Sequence, residues 1–148
     1  MVTWHDFEVA EPEIAAFAVR RLAGRVAYLA TIRPDGGPRV HPVTPIIGAG
    51  HLFLFMEPTS PKGRDLQRDS RYALHCGVED NQGGEGEVIV QGRAEFVEAP
   101  ERRTLAIASS SYQPHDRYIL FELFLGQLSI TIYEQDGIRR HRWRAEPS

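Results

Sequence analysis

Ser60, Lys62 and Arg64 are the residues whose types and spacing most readily do chemistry together. They lie in Met56-Glu57-Pro58-Thr59-Ser60-Pro61-Lys62-Gly63-Arg64-Asp65-Leu66, where the apolar run Leu52 to Met56 stops at Glu-Pro and a short helix is expected to begin. Serine is a favoured N-cap, and proline is favoured at the first helical position. Lysine and arginine in that turn oppose the helix dipole, so they cost stability unless an anion sits nearby. Free backbone N–H groups, a hydroxyl and an ammonium together form a cradle for phosphate. Read alone, these residues fit equally a capped surface helix with solvated cations.

Other constellations offer less. His75 and Cys76 are neighbours on an expected strand, so their side chains face opposite ways and do not readily share a metal ion. His5, His41, His51, His115 and His141 show no ligand spacing such as His-x-x-x-His, and no metal site is expected. Cys76 has no nearby base in the sequence and reads as an inert, partly buried thiol. Ser109-Ser110-Ser111 lacks a Gly-x-Ser-x-Gly elbow and reads as a helix end and loop. Arg139-Arg140-His141-Arg142-Trp143-Arg144 interleaves cations with an aromatic ring, but on a strand these alternate between two faces. It reads as a solvated edge strand, or as a source of one arginine for an anionic substrate.

A net charge of -3 and a pI near 6.1 argue against a nucleic-acid partner. One cysteine rules out an intrachain disulfide and suits a reducing cytoplasm, the expected location. Asp6, Glu8, Glu11 and Glu13 interrupt the first twenty residues, so no signal peptide is expected there. No apolar run approaches the roughly 20 residues that span a bilayer, and no membrane partner is expected. At 148 residues the chain suits one domain, 1–148, with residues 1–24 as an N-terminal helical segment packed on the rest.

The elements that must hold the cradle follow from periodicity. Residues 12–23 read as an amphipathic helix, opened by Pro12 and closed by Gly24, with Ile14, Phe17, Ala18 and Leu22 at helical spacing. Val26 to Ile32 is a buried strand, Arg33 to Pro38 a strong turn, and Val40 to Ile47 a second strand. Leu52 to Met56 and Tyr72 to Val78 are the third and fourth, and a mobile Gly- and Glu-rich loop (Glu79 to Gly86) leads to the fifth, Glu87 to Val97. Pro100 to Ser110 reads as a helix and Tyr118 to Tyr133 as a long strand. Gln135-Asp136-Gly137 turns that strand back into Ile138 to Trp143. Pro42 and Pro45 place the second strand at an edge or a bulge. Six or seven strands with short turns and few helices predict a mainly β fold, a closed or nearly closed antiparallel barrel.

The succession Leu29-Ala30-Thr31-Ile32-Arg33-Pro34-Asp35-Gly36-Gly37-Pro38-Arg39-Val40-His41-Pro42-Val43 resembles the pyridoxamine 5'-phosphate oxidase-like split-barrel family. So do Leu54-Phe55-Met56, Ser60-Pro61-Lys62-Gly63-Arg64-Asp65-Leu66 and Arg71-Tyr72-Ala73-Leu74. The likeness covers residues 22 to about 97 by motif and the remainder by strand pattern. It implies a six-stranded split barrel that binds FMN, or in one branch a deazaflavin coenzyme, at a homodimer interface. Ser60, Lys62 and Arg64 would hold the phosphate, with His41 as a further phosphate-facing group. Val43 and Thr44 would lie along the isoalloxazine ring, and Phe55 and Met56 would flank the ring and ribityl chain. Trp143 or Tyr133 would come from the partner chain.

Departures from the family pattern shape the rest of the expectation. Pro61 and His41 stand where the pyridoxamine phosphate oxidases carry arginines, and Glu87 where they carry an amide reaching the flavin. Their arginine and histidine for the substrate's phosphate would fall near Ser129 and Thr131, neither of them basic. A pyridoxamine phosphate substrate is therefore not expected. The implied function is a flavin-dependent oxidoreductase acting on a small organic molecule, with its catalytic residues unassigned. A deazaflavin-dependent reductase, or a flavin- or haem-binding protein without turnover, are the alternatives.

Overall fold

The computed structural model describes residues 1–82 and 84–146. Gly83, inside the loop expected over Glu79 to Gly86, and Pro147 and Ser148 lie outside the described residues. Helices α1 (Trp4–Ala10) and α2 (Pro12–Leu22) precede strands β1 (Ala27–Ile32), β2 (Pro38–Val43), β3 (Ile46–Gly48) and β4 (His51–Met56). Helix α3 (Pro61–Arg68) leads to β5 (Arg71–Cys76) and β6 (Glu87–Val97); helix α4 (Pro100–Ser109) leads to β7 (Ile119–Glu134) and β8 (Gly137–Arg144).

All eight strands belong to one antiparallel sheet in the order β2-β1-β5-β6-β7-β4-β3, with β8 on β7. β2 and β3 stand at opposite ends of that order although only Thr44 and Pro45 separate them in sequence. The sheet therefore curls until its ends approach, without a ladder between them: a split barrel. The single strand expected over Val40 to Ile47 is in fact two, because Pro45 cannot donate to a ladder at the point where the chain changes ends. Pro42 is accommodated on β2, opposite Tyr28, at the edge its ring requires.

Within the helical segment expected over residues 1–24 the sequence bounds only the helix from Pro12; Trp4–Ala10 forms a second one. Thr3 accepts from the Asp6 backbone N–H, and Asp6 accepts from the Thr3 N–H, a reciprocal capping box. This helix delivers Trp4 and Phe7, both fully buried, to the main core.

β4 explains itself by its neighbours. Leu52, Leu54 and Met56 join the main core, whereas Phe53 and Phe55 join a second cluster with Ile46, Val97, Ala106 and Leu120 beside α4. A strand covered on both faces reads as an unbroken apolar run, as Leu52 to Met56 does. The hairpin after β7 is as expected, with Glu134 opposite Gly137 and only Gln135 and Asp136 between them. Gly137 takes φ of 138°, a conformation glycine alone adopts readily.

Candidate functional site

Ser60 caps α3: its Oγ accepts from the Gly63 N–H at 3.2 Å, and Pro61 follows at the first helical position. Ser60 is only 9% exposed. A Cβ on Gly63 would lie 2.9 Å from Ser60 Oγ and 3.2 Å from Met56 Sδ, so glycine lets the helix start sit tightly on the end of β4. No acidic residue occupies the first turn of α3.

Lys62 is half-buried, and burial pushes its ammonium below the ordinary lysine value. Among the described residues no carboxylate lies within ion-pair distance of Lys62, nor of the exposed Arg64. A half-buried cation without a counter-ion, at the positive end of a helix dipole, is unfavourable twice over. An anion seated there would relieve both terms.

The acid nearest in sequence, Asp65, is committed elsewhere. It is 2% exposed; its carboxylate accepts from Thr31 Oγ1 and Arg39 Nε, each at 2.7 Å, and from Arg68 Nη2 at 3.1 Å. Burial pushes this carboxyl up, but the bonds from Arg39, Thr31 and Arg68 outweigh it and hold the pKa below the ordinary aspartate value. Arg68 also donates to the Ile32 carbonyl. These contacts clamp α3 to β1 and β2 and leave its N-terminal turn free. The sequence reading missed this cluster; its one legible signal was the same-face alternation of Arg39 with His41 and Val43 on β2.

His41 and Val43 stand opposite Leu29 and Ala27, on the face from which Arg39 reaches α3. Both are half-buried, and Thr44 occupies the break between β2 and β3. Met56 is buried beneath Gly63. Phe55 lies on the opposite face of β4 from Met56, in the second cluster, with the Arg103 guanidinium 5.1 Å from its ring centre. Of the eight residues singled out in the sequence, the helix start gathers Ser60, Lys62, Arg64 and Met56. His41 and Val43 lie on β2, Thr44 in the break that follows it, and Phe55 faces away.

Glu87 accepts from the Tyr133 hydroxyl at 2.7 Å and lies 3.5 Å from His75 Nε2. Trp143 packs against Phe7, with ring centres 5.0 Å apart, whereas Tyr133 is exposed. Cys76 is buried, accepting from the Val88 N–H and lying 3.9 Å from Arg21 Nη2. No cluster of three potential metal ligands occurs among the described residues, and no helix is long and apolar enough to cross a membrane.

A second charged cluster escaped sequence reading altogether. Glu122, 1% exposed on β7, faces His51 Nδ1 at 2.7 Å and accepts from Arg102 Nη1 at 3.0 Å; Arg102 also reaches Glu95 at 2.7 Å. It fastens α4 to β4, β6 and β7. Nothing local in the sequence links residues 51, 95, 102 and 122; only the register of three strands does.

Comparison with solved structures finds the same fold repeatedly. The chain resembles a haem binding protein from Mycobacterium smegmatis (TM-score 0.66, 19% identity), matching over 85% of its own length and spanning 55% of that protein. It resembles PhzG from Burkholderia lata 383, solved with tetrahydrophenazine-1-carboxylic acid, at TM-score 0.65 and 14% identity over 95% of this chain and 86% of the other. An F420 reductase matches at TM-score 0.57 and 19% identity, over 75% and 94%. Comparison with curated protein sequences returned no match. The sequence profile of pyridoxamine 5'-phosphate oxidase matches residues 10–124, which takes in β1 to β6, the whole of α3 and the cradle at its start. The chain belongs to the pyridoxamine 5'-phosphate oxidase family.

Proposed function

We propose that this chain is a flavin-dependent oxidoreductase, binding FMN at the start of α3 and acting as a cytoplasmic homodimer on a small organic molecule. The observation that carries the reading is Lys62: half-buried, without a counter-ion, and at the N-terminus of a capped helix. Ser60 and Lys62 would hold the phosphate, with Arg64 adding positive charge and His41 a ring nitrogen at its rim. Val43 and Thr44 would lie along the ring system, and Met56 would form the apolar floor.

The flavin supplies the electron and hydride chemistry when bound, so the chain needs to orient it and exclude water. That division of labour accords with a site rich in binding groups. Ser60 is fixed by its cap and the body of the helix by Asp65. A rigid cradle of this kind loses little freedom on binding.

The homodimer is supported by an uncovered sheet face. Val40 is 61% exposed and Tyr28 47%, beside exposed Pro42, a larger apolar grouping than isolated surface residues present. A deazaflavin coenzyme is the second reading, supported by the structural likeness to an F420 reductase, because a phosphate on the same tricyclic shape would use the same cradle. Storage of a flavin or haem without turnover is a third, supported by the likeness to a haem binding protein.

Titrating the purified protein with FMN and, separately, with the deazaflavin coenzyme tests the reading. FMN should bind with quenching of its fluorescence, and the complex should oxidise or reduce a nicotinamide or organic partner. Absence of binding by either cofactor would overturn the site, and binding without turnover would select the storage reading.

A further inference from the structure

β8 carries four arginines, and the structure sorts them by face. Arg140, Arg142 and Arg144 stand opposite Thr131, Ser129 and Gln127 of β7, whose side chains point outward from the barrel. Arg139 points the other way and pairs with Glu134 at 3.4 Å. Same-face neighbours on a strand lie about 6.8 Å apart, so the three outward guanidiniums form a straight ladder about 14 Å long.

This ladder breaks a habit of the chain. Arg25, Arg71, Arg102 and Arg117 each face a carboxylate within 3.2 Å. Acidic residues outnumber basic ones, 20 to 17. Yet among the described residues Arg140, Arg142 and Arg144 take no carboxylate partner, and their cross-strand neighbours are hydroxyls and an amide. The carboxylate across the sheet on this face, Glu87, sits beyond β7 and is held by Tyr133. Three like charges in a row repel, a standing cost that anions would convert to attraction.

We propose that the outer face of β8 binds a small oligoanion, a chain of carboxylate or phosphate groups running along the strand. Guanidinium forks match either group in two-point fashion, and Ser129, Thr131 and Gln127 lie alongside to donate further hydrogen bonds. Three guanidiniums within about 14 Å suit a ligand whose anionic groups are linked closely enough for two or more of the flexible arginines to converge on it. A nucleic acid is disfavoured by the overall charge of -3. The proposal does not depend on the cofactor reading, since the ladder lies along the second half of β7 and the cradle lies against the first.

Isothermal titration with inorganic tripolyphosphate and with a tri-glutamate peptide tests it directly. Wild type should bind at least one of them, more weakly as salt rises. Arg140→Gln/Arg142→Gln/Arg144→Gln should weaken that binding about tenfold, while Arg139→Gln on the other face should change it less than about twofold. Arg142→Glu alone, a change at an exposed position, should give a loss of several-fold even if the triple variant folds poorly. Parallel titrations with FMN and with a deazaflavin coenzyme bearing a glutamyl tail separate the sources. Loss for the tailed cofactor alone identifies a cofactor tail, and loss for tripolyphosphate alone identifies a free oligoanion. No binding by wild type, equal binding by the triple variant, or tighter arginine-dependent binding of a single-stranded oligonucleotide would overturn the proposal.

Discussion

The start of α3 and the cluster around Glu122 treat charge in opposite ways. At Glu122 a carboxylate removed from water is answered on both oxygens, by His51 and by Arg102. At α3 a half-buried ammonium is answered by nothing among the described residues, although a buried carboxylate sits three positions on in the same helix. Folding alone accounts for the first arrangement, because a buried charge must be paired. It does not account for the second, which lowers the stability of the free chain. Satisfied charge holds this barrel together, and the unanswered charge at α3 is the one the proposed cofactor phosphate would answer.

Substitutions should separate the two regions by sign as well as size. Glu122→Ala leaves Arg102 and His51 facing a void and should lower unfolding stability by about 3 kcal/mol in denaturant titration. Cofactor affinity in the fraction that remains folded should stay near wild type. Lys62→Ala should do the reverse: FMN affinity falls by about 1.5–3 kcal/mol, as for a lost hydrogen bond between charged groups. The free variant should melt at the wild-type temperature or slightly above it, gaining about 0.5 kcal/mol from removal of a cation opposed to the dipole. Ser60→Ala touches both functions of the corner, so it should cost about 1 kcal/mol of stability as a lost N-cap and weaken FMN binding as well.

The smallest effect concerns pH. Asp65 has a folded pKa below its ordinary value of 3.8, so its stabilising contribution is complete above that value and is lost as pH falls toward the folded one. Asp65→Asn should therefore flatten the acid limb of the stability profile below about pH 4. An unchanged slope would show that the Arg39 and Thr31 bonds do not persist in solution.

Much of the barrel was legible because its signals are local. Periodicity and the Gln135-Asp136-Gly137 turn announced the last hairpin, and Ser60-Pro61 announced α3 and its cap. Pro42 and Pro45 announced an edge, but not that the chain would jump across the barrel's opening between them. Helix α1 was legible only as part of a helical segment over residues 1–24: Thr3 and Asp6 carry its capping box, but its seven residues are too few to establish a period. Asp65 and Glu122 were opaque for a different reason: their partners arrive from residues 31, 39, 51 and 102 through register and packing. Phe55 shows the same limit, since strand alternation separates it from Met56 but only the placement of α4 shows what covers it.

Lys62 itself offers the most direct measurement. Its ammonium can be titrated by NMR in the free protein and again with saturating FMN. In the free protein the midpoint should lie below the ordinary 10.5, and FMN should raise it, because a bound phosphate favours the charged form. An identical midpoint in both states would mean that no anion visits the start of α3, and the central claim would fail.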